Sequence, residues 1–590
     1  MMRKISVLFF IAAILFSCVP CETKVAAAWR EPVRGQHAMV ASQHELASRI
    51  GIDVIKRGGN AVDAAVAVGY AEAVVNPCCG NLGGGGFMTI HLADGSDHFI
   101  NFREMAPAAA SADMYLDANR KPWPGASLNG YLAVGVPGTV AGLDLALQRY
   151  GSLPRAQVMA PAIKLAREGF VLRRGDTDIL QFGTTKFRTQ PNVARIFLHP
   201  DGSPLQPGER LVQPELAATL SAIAAHGPDA FYRGHVPQVV AAASAANGGI
   251  LTEADFAAYR VIDTQPLQCE YRGFRLHTAP PPSSGGTTMC EILAIIEPTD
   301  LRALGFRSAA SVQILAEAMR HAYLDRNTYL GDPAFVSNPL ERLLSRDYAA
   351  QIRTSIVPDR AGKSADLRPG VAPHEKTETT HYSVLDAAGN AVATTYTVNG
   401  YFGAGVIAGD TGFFLNNEMD DFTILPGAAN LFGLVQGAAN AIAPGKRPLS
   451  SMAPTIVTRD GKPVLVLGSP GGARIITITM ETILNIIDYG MELQEAVDAP
   501  RLHHQWLPDE IYVEQRGISP DTKAKLEAMG YKITEQTLWG AVAAIAVGQP
   551  ARAPNVASSG NDGALSGRMR PGFIYGANDS RRPAGKAAGE

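Results

Sequence analysis

The chain has 590 residues, 46% of them hydrophobic, and a formal net charge of −3. This length and apolar content allow several domains, or one large layered domain with an extensive core. The near-neutral balance, without a basic stripe, excludes a surface built for nucleic acid.

The opening Met1-Met2-Arg3-Lys4 is basic, and the apolar run Ile5 to Phe16 behind it is too short to span a bilayer. Val25-Ala26-Ala27-Ala28 supplies small residues for cleavage before Trp29, so residues 1–28 read as a secretory signal peptide. Leu15-Phe16-Ser17-Cys18 offers an alternative, a lipoprotein anchor at Cys18, which Phe16 fits poorly. The expected location is periplasmic or secreted, with no membrane span. Cys78 and Cys79 are adjacent and are not expected to pair without strain, whereas Cys269 and Cys290 can pair.

Gln43 to Arg57 has helical periodicity and stops at Gly58-Gly59. Asn60 caps a second helix running to about Val75, rich in Ala and Val on all sides and therefore buried. The loop Asn81-Leu82-Gly83-Gly84-Gly85-Gly86-Phe87 lacks the Gly-Lys-Ser/Thr of a phosphate loop. Its glycines read as positions of tight turning and close backbone approach. Phe87–Leu92 and His98–Phe102 form a hairpin around Asp94-Gly95, ending at Arg103, a candidate carboxylate clamp. Val134–Gly138 reads as a strand and turn. Helices are expected over Thr139–Tyr150, Pro154–Glu168, Glu253–Tyr259, Thr287–Ile296 and Ala309–Tyr329, with Ser283 or Ser284 as a helix cap.

Pro369 to Lys376 is a polar, unpatterned run and reads as an exposed loop. From His381 the pattern alternates with period two, turns at Ala388-Gly389-Asn390, and resumes over Ala391–Val398. Thr395, Thr397 and Asn399 share one face of that second strand. A cut between Glu378 and Thr379 would give the threonine a free amine beside its own hydroxyl, a base next to a nucleophile. An α-amino group has a pKa of roughly 7.7–8.0, suited to taking a proton near neutrality. In Asn416-Asn417-Glu418-Met419-Asp420-Asp421-Phe422 the clustered carboxylates suit an ammonium group. Pro426 to Asn440 is rich in Gly and Ala and reads as a mobile loop. The strand Pro463–Leu467, the turn Gly468-Ser469-Pro470-Gly471-Gly472 and a helix from about Ala473 present backbone N–H groups to an oxyanion. The last ~40 residues, rich in small residues and proline, read as irregular. A Gly-x-Ser-x-Gly elbow, a His-Glu-x-x-His helix and a Cys/His cluster after the leader are all absent from the sequence.

These motifs, with Phe102-Arg103-Glu104, Thr379-Thr380-His381-Tyr382-Ser383 and Pro448-Leu449-Ser450-Ser451-Met452, resemble the γ-glutamyltranspeptidases (glutathione hydrolases) of the N-terminal-nucleophile hydrolase superfamily. The resemblance covers nearly everything from about Gly35 onward. It implies an α+β fold, a four-layer αββα sandwich. It implies self-cleavage between Glu378 and Thr379 into a large subunit, 29–378, and a small one, 379–590, which stay associated as a heterodimer. Thr379 would be the nucleophile, assisted by Thr397, with Gly471 and Gly472 holding the oxyanion. Arg103, Ser450 and Ser451 would hold the substrate α-carboxylate, and Asn399, Glu418 and Asp421 its α-ammonium. Phe432 stands where relatives place an aromatic lid residue. The implied partners are γ-glutamyl compounds such as glutathione as donors, and water, amino acids or dipeptides as acceptors. No cofactor and no metal are called for. A cephalosporin or glutaryl acylase of the same superfamily is the alternative, expected to show a changed ammonium-binding set; an inactive secreted binding homologue is the other.

Overall fold

The computed structural model describes residues 30–367, 379–548 and 569–590. The leader expected over residues 1–28, Cys18, the loop expected over Pro369–Lys376 and Glu378 lie outside the described residues.

Two antiparallel seven-stranded sheets form the centre. The front sheet runs Lys586–Gly589, Met39–Ser42, Thr380–Leu385, Ala391–Thr397, Gly85–His91, Asp97–Phe102, Ile262–Thr264. The back sheet runs Val33–Gly35, Ile574–Asn578, Ala543–Val547, Lys462–Gly468, Thr455–Arg459, Phe274–Thr278, Leu267–Tyr271. Strand alternation sorts the side chains into layers. On the front sheet Tyr382, Val384, Val392 and Tyr396 join a core with the outer helices Glu45–Lys56 and Ala61–Val75. Their neighbours Leu385, Ala391 and Ala393 face inward and meet Ile456, Val466, Ala543 and Ile545 of the back sheet. The far face of the back sheet packs Leu465, Leu467, Ala544 and Ala546 against helices Gly285–Ile296, Ala309–Tyr329 and Ile475–Ile487. The result is the expected αββα sandwich, with small inward residues letting the sheets stack closely.

Local signals explain most elements. Asn60 and Asp63 form a capping box at the start of Ala61–Val75, and all residues of that helix are buried. No helix among the described residues is long and apolar enough to cross a membrane.

Strands from both sides of Thr379 interleave in the front sheet. Thr380–Leu385 pairs with Met39–Ser42, and Ala391–Thr397 pairs with Gly85–His91.

Several expectations are corrected. Val134–Gly138 forms no strand, only an isolated bridge from Val136 to Met105. The C-terminal segment is not irregular throughout: Ile574–Asn578 and Lys586–Gly589 enter the back and front sheets respectively. Backbone pairing decides there, where small residues such as Gly576 and Ala587 fit between the sheets. Cys78 and Cys79, not expected to pair, are joined as neighbours with Cα atoms 3.7 Å apart, and Cys269 pairs with Cys290. Ser284 gives no side-chain cap to the helix that starts at Gly285, whereas Ser283 Oγ accepts from the Gly285 N–H at 3.2 Å. The hydroxyls of Ser283 and Ser284 also donate to the backbone oxygens of Met452 and Ser450 respectively.

Candidate active site

The register of the front sheet brings the two threonines together. Thr380 pairs with Tyr396 in an antiparallel ladder, which sets Thr379 across from Thr397. Directly opposed residues in such a ladder lie within about 4.5–5.5 Å at Cβ. The next side chain points the other way: Thr380 Oγ1 accepts from Asn76 Nδ2 at 3.3 Å, beneath the outer helices. Close approach from the glycine-rich loop supports this geometry. A Cβ on Gly84 would run into the Thr397 carbonyl, while none of Gly83 to Gly86 has a positive φ. Those glycines serve close contact, not turning.

Thr379 and Thr397 line a pocket of about 290 Å³ with Arg103, Asn399, Glu418, Asp421, Phe432, Ser450, Ser451 and Gly472. Gly471 lines the wide cleft next to it, with Tyr401, Arg474 and Trp539. The residues singled out in the sequence thus converge, apart from Glu378, which is not described. Thr379 is buried, with 4% of its surface exposed.

The Arg103 guanidinium is fully buried and pairs with both Glu418 and Asp421. Its Nε donates to the Pro448 carbonyl at 3.2 Å, and Glu104 lies 3.5 Å from Nη1. Burial pushes the Glu418 carboxyl well above the usual range, against the pull of Arg103. Burial likewise raises Glu104 to about 7. One buried cation is shared among several carboxylates, so the cluster has capacity for a second positive charge. Asn399 sits at positive φ, 73°, which asparagine tolerates, and its amide donates to Asn417 O at 2.9 Å. Its side-chain oxygen is thereby left as an acceptor.

In the same pocket two serine oxygens already accept hydrogen bonds. Ser450 Oγ accepts from the Met452 N–H at 3.0 Å, and Ser451 Oγ accepts from Arg326 Nη2 at 3.0 Å. Each hydroxyl hydrogen then remains to donate, as a carboxylate requires. Sequence reasoning missed Arg326. It lies within the helix Ala309–Tyr329 and is buried, donating also to Ser284 Oγ and Gln436 Oε1. Burial lowers its pKa to about 10, so it stays cationic at neutral pH. An arginine in a helix pattern reads as a solvated face; only the tertiary packing turns it inward.

Gly471 and Gly472 have φ of 149° and 53° at the turn leading into Ile475–Ile487. A Cβ on Gly472 would strike the Phe432 ring. Phe432 is therefore packed over the Gly471-Gly472 turn. The loop that carries it is not loosely packed, as its composition suggested. Asn430 Oδ1 accepts from Phe432 N and Leu434 N, and Asp420 Oδ2 accepts from Leu431 N. Phe432, Leu434 and Val435 belong to the rear core.

His381, two residues from Thr379, is buried between Thr395 Oγ1 at 2.8 Å and Ser383 Oγ at 3.1 Å. Burial drives its pKa down to about 3, so the imidazole is neutral and fixed between the sheets. It is not among the residues lining the pocket.

The profile of the family described as Gamma-glutamyltranspeptidase matches residues 47–586. The chain is 53% identical to a glutathione hydrolase proenzyme of Pseudomonas sp. (strain A14), covering 98% of this chain and 99% of that one. It is 50% identical to the glutathione hydrolase proenzyme of Escherichia coli (strain K12), over 88% of this chain and 89% of that one. Among solved structures it is similar to a cephalosporin acylase from Bacillus halodurans, with a TM-score of 0.79 and 26% identity, covering 99% of both chains. Profile, relatives, sandwich and threonine pocket agree, and the chain belongs to the gamma-glutamyltranspeptidase family.

Proposed function

We propose that this protein is a γ-glutamyl hydrolase and transferase that takes glutathione and related γ-glutamyl compounds as donors. The observation that carries the reading is the polarity of the pocket. Thr379 shares the pocket with a carboxylate cluster, Glu418 and Asp421 around Arg103, and with the hydroxyl donors Ser450 and Ser451. A zwitterionic α-carbon is complementary to both. Its ammonium would take up the spare negative charge of the cluster, and its carboxylate would accept from Arg103 and the serines. The γ-carbonyl would then reach Thr379 Oγ, with Gly471 and Gly472 at the oxyanion. The wide cleft beside Gly471 leaves room for the departing or accepting peptide. Water or an amino acid or dipeptide then takes the acyl group from Thr379.

The precursor would be cut before Thr379, giving subunits 29–378 and 379–590. Interleaved strands support their staying together, since separation would tear open the front sheet. Export to the periplasm or beyond rests on residues 1–28 of the sequence, and N-terminal sequencing of the purified large subunit reads it.

Release of p-nitroaniline from γ-glutamyl-p-nitroanilide tests the reading. The fold is shared with a cephalosporin acylase; faster turnover of a glutaryl anilide than of the γ-glutamyl one would favour that activity instead. The intact Glu418–Arg103–Asp421 cluster supports the γ-glutamyl substrate, because a glutaryl group has no ammonium to place there.

Phe432→Ala is expected to shift the product ratio toward hydrolysis. Removing the ring uncovers the oxyanion turn and admits water to the acyl-enzyme. The ratio of γ-glutamyl-glycylglycine to glutamate, measured with glycylglycine present, checks it; an unchanged ratio counts against the lid role.

A further inference from the structure

At the end of the sandwich away from Thr379, three side chains from two sheets converge. His91 and Asp97 are the last pair of the hairpin Gly85–His91 and Asp97–Phe102 in the front sheet. His277 belongs to Phe274–Thr278 in the back sheet. One ligand atom from each lies within 4.8 Å of the others. His91 Nδ1 is 2.8 Å from Asp97 Oδ1, and His277 Nδ1 is 3.1 Å from Asp97 Oδ2. Both imidazoles are buried, and the trio borders an open cleft of about 800 Å³.

The hydrogen bonding around His277 is informative. Its Nε2 lies 3.0 Å from Thr458 Oγ1, beside a register shift in Thr455–Arg459. Donation from Nε2 to that oxygen leaves the Nδ1 lone pair facing a carboxylate oxygen. Nδ1 indeed makes no well-aligned hydrogen bond, although it is buried. With Nε2 as the donor, either a proton or a metal cation must lie between these two acceptors, and the poor alignment of Nδ1 favours the metal. A ring nitrogen that donates outward while its partner nitrogen faces a shared centre is the arrangement that orients a metal-bound histidine.

We propose that His91, Asp97 and His277 form a binding site for a divalent transition ion of the zinc class. Two neutral imidazole nitrogens and one carboxylate oxygen make a ligand set suited to zinc, cobalt or nickel, with water from the cleft completing the shell. The ion would tie the two sheets together. It would have no part in acyl transfer: Gly85 pairs with Thr397, and His91 lies at the other end of that strand, about 20 Å away at roughly 3.3 Å per residue.

The test uses the processed, chelator-treated enzyme, titrated with Zn²⁺ by calorimetry and with Co²⁺ by visible absorption. The expected result is one tight ion per chain, cobalt bands of a low-coordinate N/O site, and a raised Tm. Turnover of γ-glutamyl-p-nitroanilide stays the same with and without the ion. His277→Gln and Asp97→Asn each remove the tight ion and the Tm rise. Thr458→Val weakens binding roughly 10–100-fold, because it only orients the ring. Tm measured in chelator shows which variants fold, and either of the first two suffices. The proposal is overturned if wild-type protein takes up no ion, or if a folded His277→Gln or Asp97→Asn variant binds as tightly as wild type.

Discussion

Thr379→Ala is expected to yield one uncut chain after export and no turnover of γ-glutamyl-p-nitroanilide. On the proposed mechanism one oxygen serves both reactions. In the precursor it would attack the carbonyl of Glu378, the C–N bond would break to free the amine as an ester forms, and water would then hydrolyse the ester to release the Glu378 carboxylate and the hydroxyl. In the mature protein it would attack the γ-glutamyl carbonyl, with that amine as base. Loss of a nucleophile in another hydrolase costs on the order of 10⁶ in rate, and a comparable fall to background is expected here. Thr379→Ser keeps the oxygen but loses the methyl that restricts χ1, so it should cleave and turn over slowly. Thr380→Ala is the control. Its hydroxyl faces Asn76 on the other side of the sheet, so cleavage should survive. Denaturing gels and N-terminal sequencing of the small fragment decide the matter. A fragment starting elsewhere than Thr379, or normal activity in Thr379→Ala, would remove the mechanism.

Arg103→Ala and Asp421→Ala are expected to separate the two halves of substrate recognition while leaving self-cleavage intact. Arg103 is fully buried and holds Glu418 and Asp421. Losing its charge-assisted bonds to a carboxylate should cost about 1.5–3 kcal/mol of binding, or more than tenfold in kcat/KM. The carboxylates left without it would add to the loss, since a buried charge stripped of its partner is strongly unfavourable. Both γ-glutamyl and glutaryl anilides carry an acyl chain to Thr379, but only the first has an ammonium. Asp421→Ala should therefore weaken the γ-glutamyl donor and spare the glutaryl one. Normal handling of the γ-glutamyl anilide by both variants would show that the pocket is assigned wrongly. Gel analysis of subunit formation reports whether each variant still folds and cleaves.

Much of this protein was legible in its sequence because the signals are local. A capping box, a period-two alternation and a glycine-rich turn each act within a few residues, which is why Ala61–Val75, Thr380–Leu385 and the Gly471-Gly472 turn stand where the pattern put them. The resemblance supplied what periodicity does not, the pairing of distant motifs into one pocket.

Tertiary structure alone decided the rest, and the reason is distance along the chain. Arg326 turns inward because Ser284, Gln436 and Ser451 meet it from three separate segments. The C-terminal strands form because sheet edges already built from residues far upstream offer unpaired backbone groups; Lys586–Gly589 has little side-chain pattern of its own. The loop around Phe432 packs because that ring finds a core that its glycine- and alanine-rich neighbours do not announce. His91 and His277 are remote in sequence and sit in different sheets, so no spacing rule could join them. Local chemistry fixes which element a segment forms; only the stacking of two sheets fixes which side chains face each other across the gap between them.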